Sequence, residues 1–76
     1  MKTLCEIEQN TEYIITVVKA EEPVRSRLVS MGFARGGRVM LLKKSAGAQT
    51  YHVKIEDSEV ALRKEEAMLI FVKSKK

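Results

Sequence analysis

The chain has 76 residues, enough for one domain, and its 45% hydrophobic and 32% charged residues are the balance of a folded domain and not of a disordered tail. A single cysteine, Cys5, excludes an internal disulfide framework and any cysteine-pair metal site. The net charge of +4 is concentrated. Residues 23–44 hold Arg25, Arg27, Arg35, Arg38, Lys43 and Lys44 with no acid, a block that fits nucleic acid, an anionic membrane face, an acidic protein surface or plain solvent.

The opening "MKTLCEIEQN" carries acids where a secretory leader needs its apolar run, and no stretch is long enough to span a bilayer. A cytoplasmic location is therefore expected, with no insertion into a membrane. Dense β-branched residues in "EYIITVVK", 12–19, predict a strand with considerable burial. Pro23 suits the first turn of a helix, and Glu21 and Glu22 favour the positive end of its dipole. Val24, Leu28 and Met31 then recur at i, i+4 and i+7, one apolar stripe on a helix over 23–31. A helix so short needs something to pack on.

Gly32 falls where a left-handed residue ends a helix at least cost, and Phe33 follows in the position that folds back on Leu28. Ala34-Arg35-Gly36-Gly37 fits a type II turn, with Gly36 at the site that requires positive φ. Strands are expected at "RVMLLKK" (38–44), "TYHVKI" (50–55), "VALR" (60–63) and "MLIFVK" (68–73). A loop around Gly47, a turn at "EDSE" and a helical turn at "KEEA" (64–67) join them. In 50–55, Tyr51, Val53 and Ile55 face inward and His52 and Lys54 outward. The pattern predicts one mainly β domain over 1–76, a small barrel of about five antiparallel strands with one short helix.

Little in the chain resembles catalytic machinery. His52 is the only histidine, and with Cys5 it forms a weak pair of candidate metal ligands that have no recognisable spacing. Met31, Met40 and Met68 sit at apolar-periodic positions and are read as core. Adjacent glutamates at 21–22 and 65–66 point apart and do not form an acid–base pair. The glycines of "GFARGG" follow a helix instead of opening one, which excludes a phosphate-cradling loop. Phe33 and Tyr51 are needed inside, so exposed aromatics for stacking bases are lacking and no nucleic-acid partner is expected.

Three segments together resemble the FeoA family, the small accessory proteins of bacterial ferrous iron uptake. "RLVSMGFARGG", 27–37, is similar to the family's Leu-x-x-[Leu/Met]-Gly-[aromatic/aliphatic]-x-Pro-Gly run; "VALRKEEAMLIFV", 60–72, resembles its closing segment; and "MKTLCEIE" resembles its opening. Arg35 stands where the family usually has proline, and "SAGAQT" lacks the Gly-Asp-Pro often found in that loop.

The resemblance implies an SH3-like barrel with an inserted helix. It also implies a non-enzymatic partner of the membrane GTPase and iron permease FeoB, contacting its cytoplasmic part. With one His, one Cys and scattered carboxylates, no tightly bound cofactor is expected, only weak association with iron, and weak self-association is left open. The alternative is an interaction or metal-sensing module like those that end metal-dependent repressors. On the 23–31 helix, Val29 lies off the apolar stripe near Arg25, Ser30 and Arg35. Arg25, Val29 and Arg35 are therefore the expected partner-binding residues, and Leu28, Gly32, Phe33 and Gly36 the structural turn.

Overall fold

The computed structural model describes residues 1–75, and its core is built by alternation. Along β4 (Thr50–Ile55), Tyr51, Val53 and Ile55 are buried while His52 and Lys54 face solvent. The same period places Val39 and Leu41 of β3 (Arg38–Lys44), Leu62 of β5 (Ser58–Arg63) and Ile70 and Val72 of β6 (Ile70–Ser74) on one inner face. These strands, with β1 (Lys2–Thr3) and β2 (Glu12–Val18), form one antiparallel sheet in the order β1-β6-β2-β3-β4-β5. The sheet does not close, because no pairing joins β1 to β5.

Two register shifts bend it. One falls between Ile15 and Val17 where β2 meets β6, the other between Leu41 and Lys43 where β3 meets β4. The first shift changes which residues of β2 point inward. Tyr13 and Ile15 are buried before it and Val18 after it, which turns Thr16 and Val17 toward the outer surface. Thr16 Oγ1 donates to the Phe71 carbonyl at 3.1 Å and satisfies that acceptor at the bulge.

The helix α1 (Val24–Ser30) is inserted between β2 and β3 and buries Leu28 completely. Glu22 Oε1 accepts the Ser26 backbone N–H at 3.1 Å, satisfying one of the helix's orphan donors. At the other end, the Phe33 N–H donates to the Leu28 carbonyl and the Gly32 N–H to Val29, both at 3.0 Å, the two bonds of a Schellman motif. Gly32 has φ +106°, and Phe33 is fully buried beside the core. The following turn closes with the Gly37 N–H on the Ala34 carbonyl at 2.9 Å and Gly36 at φ +88°. It docks on β2: the Gly36 N–H donates to the Ile15 carbonyl at 2.8 Å, and the Ile15 N–H donates to Gly37 at 2.9 Å.

Several expectations shift. The N-terminal strand Lys2–Thr3 makes six strands where five were expected, since two residues carry no readable alternation. Pro23 occupies the cap position and not the first helical turn. β5 begins at Ser58, because Glu56 adopts φ +53° and the hairpin needs only a two-residue connection. The last strand starts at Ile70, since Met68 and Leu69 donate back to Lys64 and Glu66 and so extend the turn after α2 (Lys64–Ala67). Met68 consequently sits half exposed instead of in the core, and Met31 and Met40 are only partly buried.

The two glycines are not equivalent. A Cβ on Gly32 would lie 3.2 Å from Ile55 Cγ1, whereas one on Gly36 would meet nothing within 4 Å. Gly36→Ala is expected to cost about 1 kcal/mol from backbone strain alone. Gly32→Ala is expected to cost roughly 2–3 kcal/mol, a fall in Tm of about 10 °C in a domain this size. Equal melting shifts for the two variants in thermal unfolding would contradict this account.

Candidate functional site

The outward turn of Thr16 and Val17 leaves β2 facing α1 across an open groove of about 540 Å³. Its apolar lining comes from Met1, Val17, Val29 and Ala34, and its two cations are Arg25 and Arg35. Val29 is 42% exposed, because Leu28 faces the core and its neighbour must then face away. Met1 reaches the same groove, its sulfur 3.0 Å from Thr16 Oγ1. The structure thus brings Arg25, Val29 and Arg35 to one surface. It adds Met1, Thr16, Val17 and Ala34, which were not singled out from the sequence; the signal available was the over-long β-branched run of 12–19, which a bulge resolves.

Arg25 is held in place. Its Nη1 donates to the Val18 carbonyl at 2.7 Å, which fixes the guanidinium between helix and strand and leaves its other donors for a ligand. Arg35 has no ion-pair partner among the described residues and stands at the outer corner of the turn. It also donates no backbone hydrogen bond. The rest of the basic block is dispersed. Arg27 pairs with Glu66, whose other oxygen accepts the Arg63 N–H at the start of α2 at 3.0 Å. Arg38 pairs with Glu56 at 3.1 Å, and near the end of β6 Lys75 pairs with Glu12 at 2.6 Å.

The two metal candidates are not brought together. Cys5 is partly buried against the core beside the Tyr51 hydroxyl, on the inner side of β4, its sulfur 3.9 Å from the Lys64 carbonyl. Burial, with Cys5 adding to it, pushes the Tyr51 phenol up from its ordinary value. His52 lies on the outer side of the same strand, between Lys43 and Ala61. Among the described residues no three His, Cys, Asp or Glu side chains converge in a way that could hold a metal ion.

A bent antiparallel sheet of short strands around one core, with a single helix inserted after the second strand, is the architecture of a small SH3-like domain. The chain belongs to the FeoA domain family, whose model matches residues 2–74. It is 31% identical over 67 residues, 88% of this chain and 86% of the other, to a Helicobacter pylori protein assigned as Fe(2+) transport protein A. The solution structure of iron(II) transport protein A from Clostridium thermocellum superposes with a TM-score of 0.90 at 25% identity, over 96% of this chain and 45% of that one. The zinc complex of Stenotrophomonas maltophilia FeoA, described as a procaryotic SH3 domain protein, does so with a TM-score of 0.84 at 27% identity, over 96% and 91%. A manganese-dependent transcriptional repressor shares the fold at 20% identity, TM-score 0.86, with this chain spanning 41% of its length. No helix of the described residues is long and apolar enough to cross a membrane.

Glu56 ties the strand after the glycine turn. It accepts the Arg38 backbone N–H at 3.0 Å and the Arg38 guanidinium at 3.1 and 3.3 Å, and these bonds, the backbone one foremost, hold its carboxyl below the ordinary 4.5. A depressed folded value means the stabilisation is complete above 4.5 and is lost as pH falls through the lower folded value. Thermal melts from about pH 6 down to about pH 3 should therefore show Tm falling below the carboxylate range, with a shallower fall in Glu56→Gln. Glu6, Glu12 and Glu22, held low in the same direction by their own hydrogen bonds, account for the slope that remains.

Proposed function

We propose that this domain is a non-enzymatic accessory component of bacterial ferrous iron uptake, acting in the cytoplasm by binding the cytoplasmic part of a FeoB-type membrane GTPase through the α1–β2 groove. The observation that carries the reading is the placement of Val29, exposed on α1 and flanked by Arg25 and Arg35 in a groove otherwise lined by apolar residues and Thr16. An apolar centre with cations at its margin suits an acidic partner surface that offers an aliphatic or aromatic side chain. Family membership and the iron-transport assignment of the Helicobacter pylori relative supply the pathway.

The side chains lining the groove include no carboxylate, histidine or cysteine, and its apolar surface with two arginines suits binding. Nucleic acid is a poor fit. Arg27 and Arg38 are tied to glutamates, and Phe33 and Tyr51 are buried where no base can stack on them. With Cys5 and His52 on opposite sides of β4, any association with iron is weak and depends on donors from elsewhere. Metal analysis after gel filtration should find less than one equivalent of iron or zinc per chain, unchanged in His52→Ala; a stoichiometric metal lost in that variant would refute this part.

Titration of the domain into the GTPase region of FeoB tests the main reading. Val29→Asp should weaken binding at least about thirtyfold, roughly 2 kcal/mol, with Tm close to parental because the side chain is already exposed. Arg35→Glu should mainly slow association and flatten its salt dependence. Arg35→Pro should weaken binding while leaving the fold at least as stable, since no backbone hydrogen bond is lost at that position. Tight binding to duplex DNA or RNA with no effect on FeoB would instead favour the repressor-type interaction module.

A further inference from the structure

The sheet has one long free edge. β5 pairs with β4 on one side only, and the Lys64 N–H donates to the Gln49 carbonyl at 3.0 Å directly beyond the Arg63–Thr50 pair. In an antiparallel ladder hydrogen-bonded pairs alternate with non-bonded ones, so that bond sets the phase. Leu62 and Val60 bond inward to β4, and Glu59, Ala61 and Arg63 direct their backbone groups outward. The Arg63 N–H is taken by Glu66 Oε1 at 3.0 Å. Among the described residues the N–H and C=O of Glu59 and Ala61 have no partner. The edge is exposed at both residues, and an open hollow lined by Arg27, Ala61, Arg63, Glu65 and Glu66 runs beside it. Its edge is not blunted by proline or by a run of like charge.

We propose that the β5 edge pairs with β5 of a second copy of this chain, antiparallel about a two-fold axis at Ala61, to form a symmetric dimer with one continuous sheet. The occupant follows from charge. With Ala61 opposite Ala61 of the other copy, Glu59 lies opposite Arg63 on the outer face and Val60 opposite Leu62 on the inner face. Among the described residues Glu59 and Arg63 form no side-chain ion pair. Each such pair occurs twice in an isologous contact, and opposite charges placed directly across strands attract. Four backbone bonds close with them: two between the Ala61 residues, and two from Glu59 N–H groups to the Arg63 carbonyls. α1 borders the β5 edge through Arg27, but Arg25 and Val29 stand two residues to either side of it and so project from the other face of the helix, and β2 lies three strands away in the sheet; a dimer therefore offers two grooves to its partners.

Sedimentation of the full chain over a range from micromolar to millimolar concentration tests this. The parent should shift from monomer toward dimer, and Glu59→Arg and Arg63→Glu should each weaken the dimer roughly tenfold by setting like charges opposite one another. The double swap Glu59→Arg with Arg63→Glu should restore the parental dimer, a rescue that no loss of folding would produce, and thermal melts of the single variants should remain cooperative. A parent that stays monomeric at millimolar concentration, or single variants that dimerise as the parent does, would overturn the proposal. Neither result depends on FeoB binding.

Discussion

The structure depends most on the reversal at the end of α1. A seven-residue helix has too few hydrogen bonds to persist alone and is held by what it buries. Leu28 and Phe33 supply that burial, both fully enclosed, and they are linked by the hydrogen bond from the Phe33 N–H to the Leu28 carbonyl. Only a left-handed residue between them lets the chain fold back so sharply, and Gly32 provides it. The same reversal delivers Gly36 and Gly37 to Ile15, so the cap, the turn and the start of β3 are one hydrogen-bonded unit resting on β2.

That unit also creates the groove. With Leu28 committed to the core, Val29 must face outward; with Gly36 and Gly37 bonded to Ile15, Ala34 and Arg35 are carried over the outer surface of β2. The bulge at Thr16 then turns an otherwise buried strand outward at that level. The helix stop that seats Leu28 and Phe33 in the core and the wall of the open groove are therefore opposite sides of the same few residues.

Charge is managed in a related way. Glu56 and Glu66 each combine a backbone N–H with an arginine, at Arg38 and at Arg63 with Arg27, so each fixes an element boundary and neutralises a cation together. Exposed ion pairs of this kind add little stability. Their effect is to leave Arg25 and Arg35 as the cations facing the groove, giving a net basic chain a localised positive surface.

The sequence by itself determined the elements and the turn. Period-two alternation in 50–55, the i, i+4, i+7 stripe of 24–31 and the glycine spacing are local signals, and local backbone preference decides them. That Val29 faces away from the core was legible for the same reason, as a helical residue off its own apolar stripe. Tertiary structure decided what depends on distant pairing. Lys2–Thr3 becomes a strand only because β6 offers it an edge, and Met68 is exposed because the turn after α2 continues to Leu69. Thr16 and Val17 reach the groove through a register shift against β6, fifty-five residues away along the chain between Thr16 and the Phe71 carbonyl it bonds. Cys5 and His52 are separated by the alternation of β4, and neither residue's own neighbourhood in sequence contains that information. Such contacts are set by which hydrogen-bonding edges meet in space, and that is fixed only when the whole sheet assembles.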